Sequence, residues 1–94
     1  MTNHPTPSGA KKILIVDDQQ TMAELWKMKF LQMGFTVHLC KDGQEALDIL
    51  NKEEFSVILL DLYMPKKTGF DVLAGKGETM NKDTPTYVIT SSVR

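Results

Sequence analysis

A chain of 94 residues makes one domain at most, and a domain this small buries a modest share of its surface, so its stability is slender. A net charge of −1 gives no electrostatic ground for nucleic acid or an anionic membrane as partner, and neither is expected. The single cysteine, Cys40, excludes an internal disulfide, and no apolar run has the length of a signal or membrane segment, which together read as a cytoplasmic chain.

Residues 1–10, with Pro5, Pro7, Ser8 and Gly9, have the composition of a disordered leader, because almost nothing in them is apolar. His4 lies there without a second metal ligand at a useful spacing. The remaining 11–94 are read as the folded unit. Ile13-Leu14-Ile15-Val16 is apolar without alternation, the mark of a strand buried on both faces, and it runs straight into Asp17 and Asp18. Asp18 also stands where a helix N-cap would, ahead of a helix predicted over Gln19 to Met33. Met22, Leu25, Trp26, Phe30 and Met33 fall close to i, i+3, i+4 spacing, while Met28 and Leu31 make the helix apolar on more than one side. One acid suffices for a cap. Two in succession put at least one carboxylate at the end of the sheet.

Gly34 ends this helix as a glycine C-cap. Thr36 to Cys40 alternates as a half-exposed edge strand, with Val37 and Leu39 on one face and Thr36, His38 and Cys40 on the other. Neither His38 nor Cys40 has a partner in sequence that would activate it for catalysis. Asp42-Gly43 makes a turn into a helix over Gln44 to Lys52, with Ala46, Leu47, Ile49 and Leu50 on its apolar side.

Phe55 to Gly69 organises the rest. Val57 to Leu60 is a second strand buried on both faces and delivers the carboxylate of Asp61 to the point where the strand stops. Met64-Pro65 turns the chain off the sheet, and Gly69 permits the tight return into a short helix from Phe70 that Gly75 and Gly77 weaken. After the polar stretch Glu78 to Thr84, Pro85 opens a last strand, Thr86 to Ile89, which runs into Thr90-Ser91-Ser92.

Strands alternating with helices demand a parallel α/β sheet covered on both faces, and such sheets bind ligands at the carboxyl ends of their strands. Those ends carry Asp17, Asp18, Asp61 and Thr90. Three converging carboxylates raise one another's pKa unless a cation sits among them, and hard oxygen donors suit Mg²⁺ or Mn²⁺ better than zinc.

Ile-Leu-Ile-Val-Asp-Asp, Asp-Gly-Gln-Glu-Ala-Leu, Val-Ile-Leu-Leu-Asp-Leu-Tyr-Met-Pro-Lys-Lys-Thr-Gly-Phe-Asp-Val-Leu and Pro-Thr-Tyr-Val-Ile-Thr-Ser, in that order and at that spacing, resemble the receiver domain of two-component response regulators. The resemblance runs from about Lys12 to Ser92. It implies a flavodoxin-like, doubly wound sheet of order 2-1-3-4-5. Asp61 is then the phosphoacceptor for a sensor histidine kinase or phosphotransfer protein. Asp18 and Asp61 are direct Mg²⁺ ligands together with the backbone carbonyl of Tyr63, and Asp17 acts through water. Thr90 hydrogen-bonds the phosphoryl group and switches rotamer with it, and the side chains of Tyr63 and Ser92 tune the lifetime of the acyl phosphate. Such a domain is a signalling phosphoacceptor rather than an enzyme, capable at most of slow self-phosphorylation and autodephosphorylation.

The departure from that pattern lies after the fourth strand. The fourth helix, the fifth strand with its phosphate-binding lysine, and the fifth helix do not appear before Arg94, so the expected order is 2-1-3-4. Lys66 and Lys67 are poor substitutes for that lysine. The alternative reading is a phosphorylation-independent interaction or dimerisation module that associates through the fourth-strand edge and the first helix. An aspartyl-phosphate phosphatase needs an acid at the position of Tyr63, and a P-loop needs a glycine at that of Phe70 and a Ser or Thr at that of Gly77.

Overall fold

The computed structural model describes residues 11–64 and 66–89; the leader expected over 1–10 lies outside them, as do Thr90 and Ser92. Seven elements alternate along the chain: β1 (Lys12–Val16), α1 (Gln20–Gln32), β2 (Thr36–Cys40), α2 (Gly43–Leu50), β3 (Val57–Asp61), α3 (Gly69–Lys76) and β4 (Thr86–Ile89). All pairings are parallel, in the order β2-β1-β3-β4. This is the order expected from the resemblance, with the crossover from β1 through β2 back to β3 placing helices on both faces. Among the described residues no helix is long and apolar enough to cross a membrane.

The two apolar strands serve two cores. Leu14, Val16, Ile58 and Leu60 point to the face covered by α2 and α3, where they pack with Cys40, Ala46, Leu50, Phe55, Met64 and Val72, all buried. Ile13, Ile15 and Leu59 point to the other face, against Trp26 and Phe30 of α1 and the flanking Phe35, Val37, Leu39 and Ile89. Successive side chains of a strand alternate across the sheet, so a strand with helices on both sides has no position for a polar residue.

The two faces are unequally closed. Of α1 only Ala23 is fully buried, while Met22, Leu25, Met28 and Leu31 are exposed, as expected of a helix apolar on more sides than it can cover. A groove of about 350 Å³ runs over this face between α1 and β4, lined among others by Phe30, Phe35, Leu59 and Tyr87. Tyr87 is 65 % and Val88 44 % exposed on β4, the last strand of the described sheet.

Three local expectations are corrected. The N-cap of α1 is Gln19 rather than Asp18, and the Gln19 side chain makes no cap hydrogen bond. Its N–H instead donates to Asp17 Oδ1 at 2.9 Å, so the strand-end acid stabilises the turn and the helix begins one residue later. Cys40 does not share the exposure of Thr36 and His38: it is buried beneath α2, where burial, followed by the charges of Glu45, Asp42 and Asp48, pushes its thiol up to about 12. A thiol held protonated is a core side chain, not a nucleophile. The polar stretch after α3 is a structural clasp centred on Asn81, which is fully buried.

Candidate functional site

Register brings the acids together. Val16 pairs with Leu60, so the next residues, Asp17 just past the end of β1 and Asp61 as the last residue of β3, come side by side at the carboxyl edge of the sheet. The N–H of Asp17 continues the ladder to the carbonyl of Cys40 at 3.0 Å, and that of Leu62 to the carbonyl of Ile89 at 3.1 Å. Pairing of Asp61 with Ile89 places the C-terminal end of β4 on the far side of the same acid. Thr90, the next residue, lies outside the described structure, so the expected contact from it is not described.

Asp17, Asp18 and Asp61 each direct a carboxylate oxygen into one cluster, with these atoms within 4.8 Å of one another. Asp61 is completely buried, Asp17 nearly so, and Asp18 half-buried. The Asp17 carboxyl is held above the ordinary carboxylate range, first by burial, then by the charges of Asp61 and Asp18 and a hydrogen bond shared with Asp61, against the opposing hydrogen bond from Gln19. A small buried cluster of hard oxygen donors in which one acid resists ionisation is the electrostatic counterpart of a divalent-cation site: an oxophilic cation removes the repulsion. The donors fit Mg²⁺ or Mn²⁺, and among the described residues no thiol or imidazole joins them.

The loop after β3 is tightly drawn around Asp61. The N–H of Tyr63 donates to Asp61 Oδ1 at 3.0 Å. Gly69 closes the loop, its N–H donating to the carbonyl of Leu62 at 3.0 Å, and a Cβ there would lie 2.4 Å from the Asp61 carbonyl oxygen, so no larger residue fits this return. Thr68 then starts α3 with a capping box, accepting from the Asp71 N–H while its own N–H donates to Asp71 Oδ2. The Tyr63 ring is exposed and meets Phe70 edge to face, with centroids 6.4 Å apart. Lys66 and Lys67 are exposed, and Lys66 has a φ of 62°. Gly43, which reads in sequence only as half of a turn, also belongs to this site. Its N–H donates to the carbonyl of Lys67, joining the start of α2 to the loop.

Comparison with known proteins agrees with this architecture. The response regulator receiver domain family matches residues 13–94. The transcriptional regulatory protein CpxR of Escherichia coli K12 is 39 % identical over 80 residues, which cover 85 % of this chain and 33 % of that protein; the chain thus spans about a third of the length of the curated relatives it matches. Among solved structures, the chemotaxis protein CheY4 of Vibrio cholerae is 32 % identical with a TM-score of 0.80, covering 89 % of this chain and 71 % of that one. The response regulator TrrA of Thermotoga maritima, solved in complex with Mg²⁺-BeF, is 27 % identical with a TM-score of 0.74 over 88 % of this chain and 71 % of that one.

Proposed function

Because this chain belongs to the response regulator receiver domain family, we propose that it accepts a phosphoryl group on Asp61 in two-component signalling, from a histidine kinase or phosphotransfer protein of the cytoplasm. The observation that carries the reading is the convergence of Asp17, Asp18 and Asp61 where β1 and β3 end. A carboxylate oxygen of Asp61 attacks the phosphorus of a phosphohistidine; the P–N bond breaks as the P–O bond forms, and the departing imidazole takes up a proton. The transition state of such transfers is loose, so the protein's part is to hold the nucleophile in line and to balance charge on the phosphoryl oxygens. Mg²⁺, when bound, supplies that charge balance.

Asp18 and Asp61 would hold the ion directly with the backbone carbonyl of Tyr63, and Asp17 through water. The N–H of Tyr63 orients the Asp61 carboxylate by donating to Oδ1. Thr90 is assigned the hydrogen bond to the phosphoryl group and the accompanying switch, and Tyr63 and Ser92 the tuning of the acyl phosphate's lifetime. That TrrA was crystallised with Mg²⁺-BeF supports the metal and the phosphoryl site by analogy. The test is intact mass after incubation with acetyl phosphate and Mg²⁺. One added phosphoryl group that disappears in Asp61→Asn and without Mg²⁺ is expected; a label retained by Asp61→Asn overturns the assignment.

The second reading, an interaction module that works without phosphorylation, is favoured by the exposed apolar side chains of α1 and β4. The same experiment separates the two, since an interaction module takes no label.

A further inference from the structure

We infer that Gly43 is a positioning residue for the loop that follows Asp61, setting where that loop can lie relative to the acid cluster; the inference rests on the receiver reading of the site. Gly43 is the first residue of α2. Alanine is the better helix former there, and Gly43 needs no left-handed backbone, so neither propensity nor φ explains the residue. Space does. A Cβ on Gly43 would lie 2.3 Å from the carbonyl oxygen of Lys67, 2.7 Å from its Cβ and 2.8 Å from its carbonyl carbon, and the Gly43 N–H donates to that same oxygen at 3.2 Å.

Neither side of this contact has slack. The first turn of α2 is tied by Asp42, which accepts from the Glu45 N–H at 2.9 Å, and by Glu45 Oε1, which accepts from the Lys41 N–H at 3.0 Å. Further along, α2 abuts α3 where Gly75 admits the Leu47 side chain. The loop is held at one end by Gly69 against the Asp61 carbonyl and at the other by the Tyr63 N–H on Asp61 Oδ1. A methyl group at residue 43 must therefore displace Lys67 by roughly 0.7 Å to reach even the 3.0 Å floor of real Cβ contacts. Metal-ligand distances are defined to within about 0.2 Å. A shift of that size a few residues from Tyr63 is enough to spoil a ligand set that includes the Tyr63 carbonyl.

The test compares the wild type with Gly43→Ala, with Gly77→Ala as a glycine control that has nothing nearer than 4.0 Å, and with the double variant Gly43→Ala/Lys67→Gly, which lets the loop yield. Two readouts are taken: Mg²⁺ titration followed by Trp26 fluorescence, and amide exchange of Tyr63 in metal-free protein. Gly43→Ala should bind Mg²⁺ about tenfold more weakly, as losses of support around metal ligands do, and exchange its Tyr63 amide faster, while Gly77→Ala matches the wild type on both. The double variant should recover most of the affinity. Wild-type affinity and Tyr63 exchange in a folded Gly43→Ala overturn the inference, as does a double variant that recovers nothing. If Gly43→Ala does not fold, the double variant decides alone: folded with near-wild-type affinity it supports the inference, unfolded it overturns it. Failure of the receiver reading is separate and appears as a wild type that neither binds Mg²⁺ nor takes a phosphoryl group; Tyr63 exchange then still decides whether Gly43 positions the loop.

Discussion

The backbone N–H of Phe55 donates to Oδ1 of Asn81 at 2.8 Å, although 26 positions separate them in sequence. The Asn81 amide nitrogen at the same time donates to the carbonyls of Leu50 and Glu53, each at 2.8 Å. One buried side chain thus closes the end of α2 onto the entry to β3, the strand that carries Asp61. Replacing Asn81 with Ala strips partners from two carbonyls and one N–H in a dry environment, and should cost about 3 kcal/mol. Asn81→Asp should be no better, since it presents a second acceptor where two carbonyls require donors. Urea unfolding is the check: the midpoint falls with an unchanged slope.

The raised Asp17 carboxyl has a defined consequence for pH. Burial and then the neighbouring acids make Asp17 easier to protonate in the fold than in the unfolded chain. Its contribution to stability is therefore complete below the unfolded carboxylate range and is lost as pH rises through the elevated folded value. Metal-free Asp17→Asn should accordingly be more stable than the wild type at neutral pH and equal to it in acid. Thermal unfolding at a series of pH values in EDTA would reveal this, and a wild type that outlasts Asp17→Asn at pH 7 without metal would contradict it.

Mg²⁺ should bind weakly to the wild type, since such sites leave several waters on the ion. Asp18→Asn and Asp61→Asn should each weaken binding beyond the ~10-fold typical of an outer-sphere partner. Trp26, half-buried on α1 two turns from Asp18, is a built-in fluorescence reporter. Titrations that leave both variants with wild-type affinity would remove the proposed site.

The 94-residue chain should self-associate with a second copy through β4 and α1. Tyr87 and Val88 are exposed on the last strand of the described sheet, and Leu25, Met28 and Leu31 are exposed on α1; an open strand edge is a template for pairing. At roughly 25 cal/mol per Å², covering a few hundred Å² of such surface yields several kcal/mol. Sedimentation should show mass increasing with concentration, and Val88→Lys should abolish the increase. A monodisperse monomer with strongly protected Val88 and Ile89 amides would contradict this.

What the sequence determined by itself is whatever depends on short-range pattern. Ile13 to Val16 and Val57 to Leu60 are recognisable as doubly buried strands because parallel pairing and helices on both faces leave no alternation, and each strand runs directly into its acid. Open parallel sheets gather ligands at the carboxyl ends of their strands, so the convergence of Asp17, Asp18 and Asp61 could be expected from the chain, and the pairing of Val16 with Leu60 realises it. The placement of His38 at the surface followed from the period of β2. The tertiary structure decided what depends on contact between distant segments. Asn81 reads as one more polar residue between α3 and β4, because its partners at Leu50, Glu53 and Phe55 are set by how α2 and β3 pack. Gly75 reads as a flaw in a helix until Leu47 is seen where its side chain would be, and Gly43 reads as half of a turn until Lys67 is seen against it. Asp18 resembles a cap in sequence, but Asp17 reaches the Gln19 N–H from the strand end and takes over the local hydrogen bond. Periodicity records which way a side chain faces; only the packed fold records what it meets, because that distance is the sum of every turn in between.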